Sequence, residues 1–112
     1  MGPVSHRIPA MIFMKMKAVF SKKGDMRFIS HLDLMRLFQR AMRRADLPVT
    51  ITQGFSPHFK ISIAKALKLG LESDNEELMI DTYRTVSPVT LTESLNKNLP
   101  AGIRITNCKE IG

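Results

Sequence analysis

The first regular pattern in the chain is an alternation. Over residues 16–22, Met16, Ala18 and Phe20 take one face and Lys17, Val19 and Ser21 the other. A period of two describes a strand with one apolar side. Lys23-Gly24-Asp25 is a turn signal, and Met26 to Ile29 reads as a short return to extended chain. At Ser30 the period changes. Leu32, Met35, Phe38, Met42 and Ala45 recur at spacings of three and four, and Leu34, Leu37 and Ala41 widen the stripe. This predicts an amphipathic helix from Ser30 to about Ala45. Ser30 with Asp33 has capping-box spacing, Asp standing in for the usual Glu or Gln.

Beyond Pro48 the alternation resumes. Val49 and Ile51 alternate with Thr50 and Thr52, and Phe59, Ile61 and Ile63 follow across the loop QGFSPH. The two runs read as a hairpin with a longer loop. Residues 64–70 fit either a short helical turn or an extended edge, and ESDNEE (72–77) reads as an acidic surface loop. Leu78 to Arg84 is another strand. Ser87 and Pro88 then supply an N-cap and the favoured first position of a helix using Val89, Leu91, Leu95 and Leu99. Pro100-Ala101-Gly102 stops it, and a last strand runs from Ile103 to about Cys108. This order predicts an α+β, ferredoxin-like βαββαβ sandwich, an antiparallel sheet with two helices on one face. Residues 1–14 read as a flexible N-terminal tail and 15–112 as a single domain.

Composition fits that picture and narrows the function classes. Hydrophobic residues make up 44% and charged residues 24%, both near globular averages. No apolar run approaches the roughly 18 residues that mark a transmembrane helix. Cys108 is the only cysteine, so one chain forms neither a disulfide nor a cysteine-based zinc or iron–sulfur site, and a reducing, cytoplasmic compartment is expected. HExxH, P-loop, GxSxG and dinucleotide fingerprints are all missing. No metal, cofactor or catalytic centre is therefore expected.

Charge adds a direction. The formal net charge is +7. Residues 1–70 hold thirteen Lys/Arg and three acids, a balance of +10, whereas residues 71–112 hold four basic and seven acidic residues, a balance of −3. A basic half suits a polyanion such as RNA, DNA or an acidic protein face; the alternative is an ordinary solvated surface. The best-organised part is the helix, where Arg36, Arg40 and Arg43 or Arg44 share a face. Guanidinium forks match phosphate oxygens. In the loop, Gln53, Ser56 and His58 offer donors and acceptors, Lys60 a charge, and Phe55 either a stacking face or a side chain tucked into the core. His31 and His58 are conceivable as a metal-independent proton-transfer pair, against the plainer reading of surface histidines. RNA-recognition modules of this topology stack bases on paired strand aromatics, and this sequence has no such run.

The blocks GD-x-RF-x-SHLDLMR, RAMRRA-x-LP, QGF-x-P-x-x-K and LGLES resemble the radical SAM-linked uncharacterised protein family, a bacterial domain of unknown function. The resemblance covers about residues 16–112 and looks like the N-terminal half of a longer domain. It implies an accessory module that presents RNA to, or docks on, a radical SAM partner. The CxxxCxxC cluster motif is absent, so the chain does not perform that chemistry itself. Positions matching the family pattern are Arg27, Ser30, His31, Asp33, Arg36, Gln53, Gly54, Phe55, Pro57 and Lys60. Of these, Arg27, His31, Arg36, Gln53 and Lys60 are expected to form one polar cluster if the helix start meets the loop. The expected function is RNA binding by Arg27, His31, Arg36, Arg40, Arg43, Arg44, Gln53, Phe55, His58 and Lys60. The alternatives are an adaptor docking on a radical SAM protein, and an endoribonuclease using His31 and His58.

Overall fold

The computed structural model describes residues 13–64 and 69–111. Strand β1 (Met14–Lys22) leads through a 3-10 turn (Gly24–Phe28) into helix α1 (His31–Ala45). Strands β2 (Ile61–Ile63) and β3 (Ser73–Thr82), helix α2 (Pro88–Asn96) and strand β4 (Ile103–Ile111) follow. The sheet order is β2-β3-β1-β4 with antiparallel neighbours throughout. Each helix thus joins two strands that flank a third, the ferredoxin-like βαββαβ arrangement.

Strand parity decides what is buried. Met16, Ala18 and Phe20 of β1, Leu78 and Ile80 of β3, and Ile103 and Ile105 of β4 are buried with Leu34, Phe38, Ala41 and Met42 of α1 and Leu91 and Leu95 of α2. One sheet face and both helices therefore enclose one core. Phe20 and Phe38 meet edge to face, with centroids 5.0 Å apart and planes at 71°. Such pairs contribute about 0.5–1.5 kcal/mol beyond their buried area. Both helix starts are capped as their sequences require: Ser30 Oγ accepts the Asp33 N–H at 3.1 Å, and Ser87 Oγ accepts the Thr90 N–H at 3.0 Å. Asp33 turns its carboxylate toward Arg36.

Four local expectations are corrected. Residues 26–28 are not extended but part of the 3-10 turn. Gly24 enters it at φ +60°, and the Met26 N–H donates to the Lys23 carbonyl. The acidic run 73–77 is strand, not loop. Acids are depleted in strands, but here they lie beside the lysines of β1 and its turn: Glu77 pairs with Lys17 at 3.5 Å and Asp74 with Lys23 at 2.8 Å. Cross-strand charge pairs of this kind offset the propensity.

The hairpin is only partly made. Ile51 bridges Phe59, but Ile61–Ile63 pair with β3 and Val49 bridges Thr82. The free edge of β3 thus recruits both arms of the expected hairpin and satisfies its own backbone groups. Element ends also shift: β3 stops at Thr82, α2 stops at Asn96, and β4 continues to Ile111. The strand start at Met14 precedes the alternation by two residues. Met14, the last residue of the expected 1–14 tail, belongs to β1, while residues 1–12 of that tail and the middle of the ambiguous 64–70 segment lie outside the described residues.

Candidate nucleic-acid interface

The core fixes the rotation of α1. With Leu34, Phe38, Ala41 and Met42 turned inward, a helix of about 100° per residue places Arg43, Arg36, Arg40 and Arg44, in that order, across an outer arc of about 100°. All four are exposed. Arg36 reaches Asp33 at 3.4 Å, a pair in which both side chains are more than half exposed. Exposed pairs of this kind contribute little, about 0.3–0.5 kcal/mol. The side chains of Arg40, Arg43 and Arg44 make no hydrogen bond or ion pair among the described residues. Arg43 and Arg44 stand in the last turn, where cations favour the helix dipole. The dipole gives no reason for Arg36 and Arg40.

The loop is tied to this helix by a residue the sequence reading passed over. Gln39 Nε2 donates to the Phe59 carbonyl and Gln39 Oε1 accepts the Phe59 N–H, both at 2.9 Å. A side-chain amide thus bonds the backbone as a neighbouring strand would. Gln39 is the one uncharged polar side chain in the middle of α1, and that was the available signal. The other end of the loop is closed by Thr52. Its N–H donates to the His58 carbonyl at 2.8 Å, and its Oγ1 accepts the His58 N–H at 3.2 Å. Between these anchors Gln53, Phe55 and His58 are exposed, and Phe55 is exposed to 106% of its reference area. Phe55 is therefore not tucked into the core. His58 Nδ1 lies 2.9 Å from the Ser56 carbonyl oxygen.

The remaining candidates do not join a single cluster. Arg27 is held in the 3-10 turn: its guanidinium donates to the Gly24 carbonyl at 2.8 Å and stacks 4.4 Å above the Phe28 ring. His31 is exposed in the first turn of α1. Lys60 lies on the opposite sheet face, 3.8 Å from Asp81, which also accepts from Lys15 at 3.1 Å. Its position follows from register: Ile61 packs against the core beside Ile80, so the residue before it points away from the helices. No hydrogen bond or ion pair links any two of Arg27, His31, Arg36, Gln53 and Lys60 among the described residues, and none links His31 to His58.

That outward sheet face is charged, and three of its lysines are matched. Lys15 and Lys60 flank Asp81, and Lys17 meets Glu77. No outward position of the four strands is aromatic, so the face offers no stacking platform of the RNA-recognition type. Cys108 is half-buried, and desolvation pushes its thiol up to about 11. It is a neutral thiol near pH 7 and a poor nucleophile. Among the described residues no three His, Cys, Asp or Glu side chains converge to hold a metal ion, and no helix is long and apolar enough to cross a membrane.

These features define a class: a ferredoxin-like α+β domain with a stripe of arginines along one helix, three of them without an ion-pair partner among the described residues. Residues 15–112 match the family described as an uncharacterized protein conserved in bacteria, DUF2344, and the chain belongs to that family. No curated protein and no solved structure matches it.

Proposed function

We propose that this protein is a non-catalytic accessory module that binds RNA through the outer face of α1 and the adjoining loop. One observation carries the reading. Arg40, Arg43 and Arg44 project from one helix face with no anionic partner among the described residues, beside Arg36, whose partner is exposed. Four like charges on one face repel one another, and a phosphate backbone relieves that repulsion. Phe55, presented on a loop anchored at both ends, supplies a face on which a base stacks. A link to radical SAM enzymes rests on the sequence resemblance, and the accessory role is framed by it.

The test is a titration of the full chain with a single-stranded oligoribonucleotide at several salt concentrations. With about four phosphates engaged, log K falls against log salt with a slope near −3. A flat dependence, or no binding at low salt, rules the reading out. The adaptor alternative predicts instead a radical SAM partner that co-purifies after nuclease treatment. The endoribonuclease alternative predicts cleavage in EDTA that disappears in His31→Ala or His58→Ala.

A further inference from the structure

The geometry points to a phosphate subsite in the groove between α1 and the end of α2, completed by Lys97. It rests on the RNA-binding reading and gives the bound strand a specific anchoring point. Leu37, Arg40 and Arg44 of α1 face Lys97, Asn98, Leu99 and Pro100 across a groove of about 370 Å³. Three of these side chains are cations and none is an acid. Lys97 comes from the acidic part of the chain, which is why charge segregation along the sequence conceals it. Its side chain makes no ion pair among the described residues, although Glu93 lies one turn earlier on α2.

The groove is built on braced backbone. Asn96 holds Ile105 in both directions, its Nδ2 donating to the carbonyl at 3.0 Å and its Oδ1 accepting the N–H at 2.8 Å. Asn98 Nδ2 donates to the Ser94 carbonyl at 2.8 Å. Further on, Gly102 sits at φ +96° with the Lys23 carbonyl oxygen and Met26 Cγ each 2.7 Å from where a Cβ would lie. The connection carrying Lys97 is therefore locked at both ends, and Leu37 and Leu99 give it an apolar floor. Three exposed cations bordering one groove, with no acid among the residues that line it, repel one another. An anion with several acceptor oxygens removes that cost and accepts bidentate hydrogen bonds from the arginines. A volume near the lower end of the roughly 300–1,000 Å³ typical of ligand pockets suits one nucleotide of a single strand. The phosphate is either an internal diester or a chain-terminal monoester, which carries nearly two charges at neutral pH.

The experiment uses the full chain and two octauridylates that differ only in a 5′-phosphate. Lys97→Gln is expected to weaken binding about three- to tenfold and to lower the salt slope by about 0.7, one phosphate contact on a single strand. Lys97→Arg is expected to restore both. Lys109→Gln, on the outward sheet face, is expected to change affinity less than twofold. A loss confined to the 5′-phosphorylated strand identifies a chain end, and an equal loss on both identifies an internal diester. Each result supports the subsite. If Lys97→Gln binds both strands like the wild type while Arg36→Gln binds them more weakly, the groove assignment is overturned and the RNA reading stands. If the wild type binds neither strand, the RNA reading fails. Titration with inorganic phosphate then decides the subsite: shifted amide resonances at Lys97 and Asn98 keep it, and unshifted ones overturn it.

Discussion

The two faces of this domain carry similar numbers of cations and treat them differently. On the outward sheet face Lys15, Lys17 and Lys60 each lie within 4 Å of Asp81 or Glu77. On the outer face of α1, Arg40, Arg43 and Arg44 have no such partner among the described residues. The number of cations by itself does not distinguish the faces. What distinguishes them is whether the fold has already supplied the counter-charge. A matched lysine gives up a partner on meeting a phosphate, whereas an unmatched arginine gives up only water and loosely held ions.

The comparison breaks most clearly if equal charge removal has equal effect. Replacing Arg36, Arg40 and Arg43 by Gln is expected to weaken single-stranded RNA binding about a hundredfold at roughly 0.1 M salt, since three contacts each release about 0.7 counterion. Replacing Lys15, Lys17 and Lys60 is expected to weaken it less than threefold. Equal losses measured by fluorescence anisotropy would mean that only net charge matters. The comparison sharpens if a matched face is deliberately unmatched. Asp81→Asn with Glu77→Gln strips the partners from three lysines and is expected to raise affinity several-fold, toward about tenfold, with a steeper salt slope. An unchanged slope would show that pairing is not what silences that face.

Smaller effects test how the helix face is held in place. Gln39→Ala leaves the Phe59 N–H and carbonyl without their partner and is expected to cost about 1–3 kcal/mol. That is a fall in Tm of at least about 4 °C for a domain of this size. Gln39→Glu keeps the acceptor and loses the donor, so its melting curve should fall between the two. Ser30→Ala removes the α1 cap at about 1 kcal/mol and should leave RNA affinity within twofold. A larger affinity loss would place Ser30 on the RNA.

The fold was legible where the period of the sequence and the burial pattern coincide. Phe20, Phe38 and Leu95 recur at the spacings their elements require, and Ser30 and Ser87 mark the helix starts. Legibility failed where a residue's state depends on a partner far along the chain. Glu76 and Glu77 look like loop until β1, more than fifty residues earlier, lies beside them. Lys60 looks like part of the α1 site until pairing with β3 turns it to the other side. The arginine stripe was legible because helical spacing alone defines it. Gln39 and Lys97 were not, because each acts across a tertiary contact that no local pattern records.

The Gln39–Phe59 contact has a consequence for how the domain breathes. A backbone N–H in a strand normally becomes available to solvent deuterium when its neighbouring strand peels away. The Phe59 N–H is held by a helix side chain, so its exchange is governed by the undocking of α1. Its protection should follow that of the α1 amides and not that of β2. One amide in a surface segment would thus time the lifting of the arginine-bearing helix from the sheet.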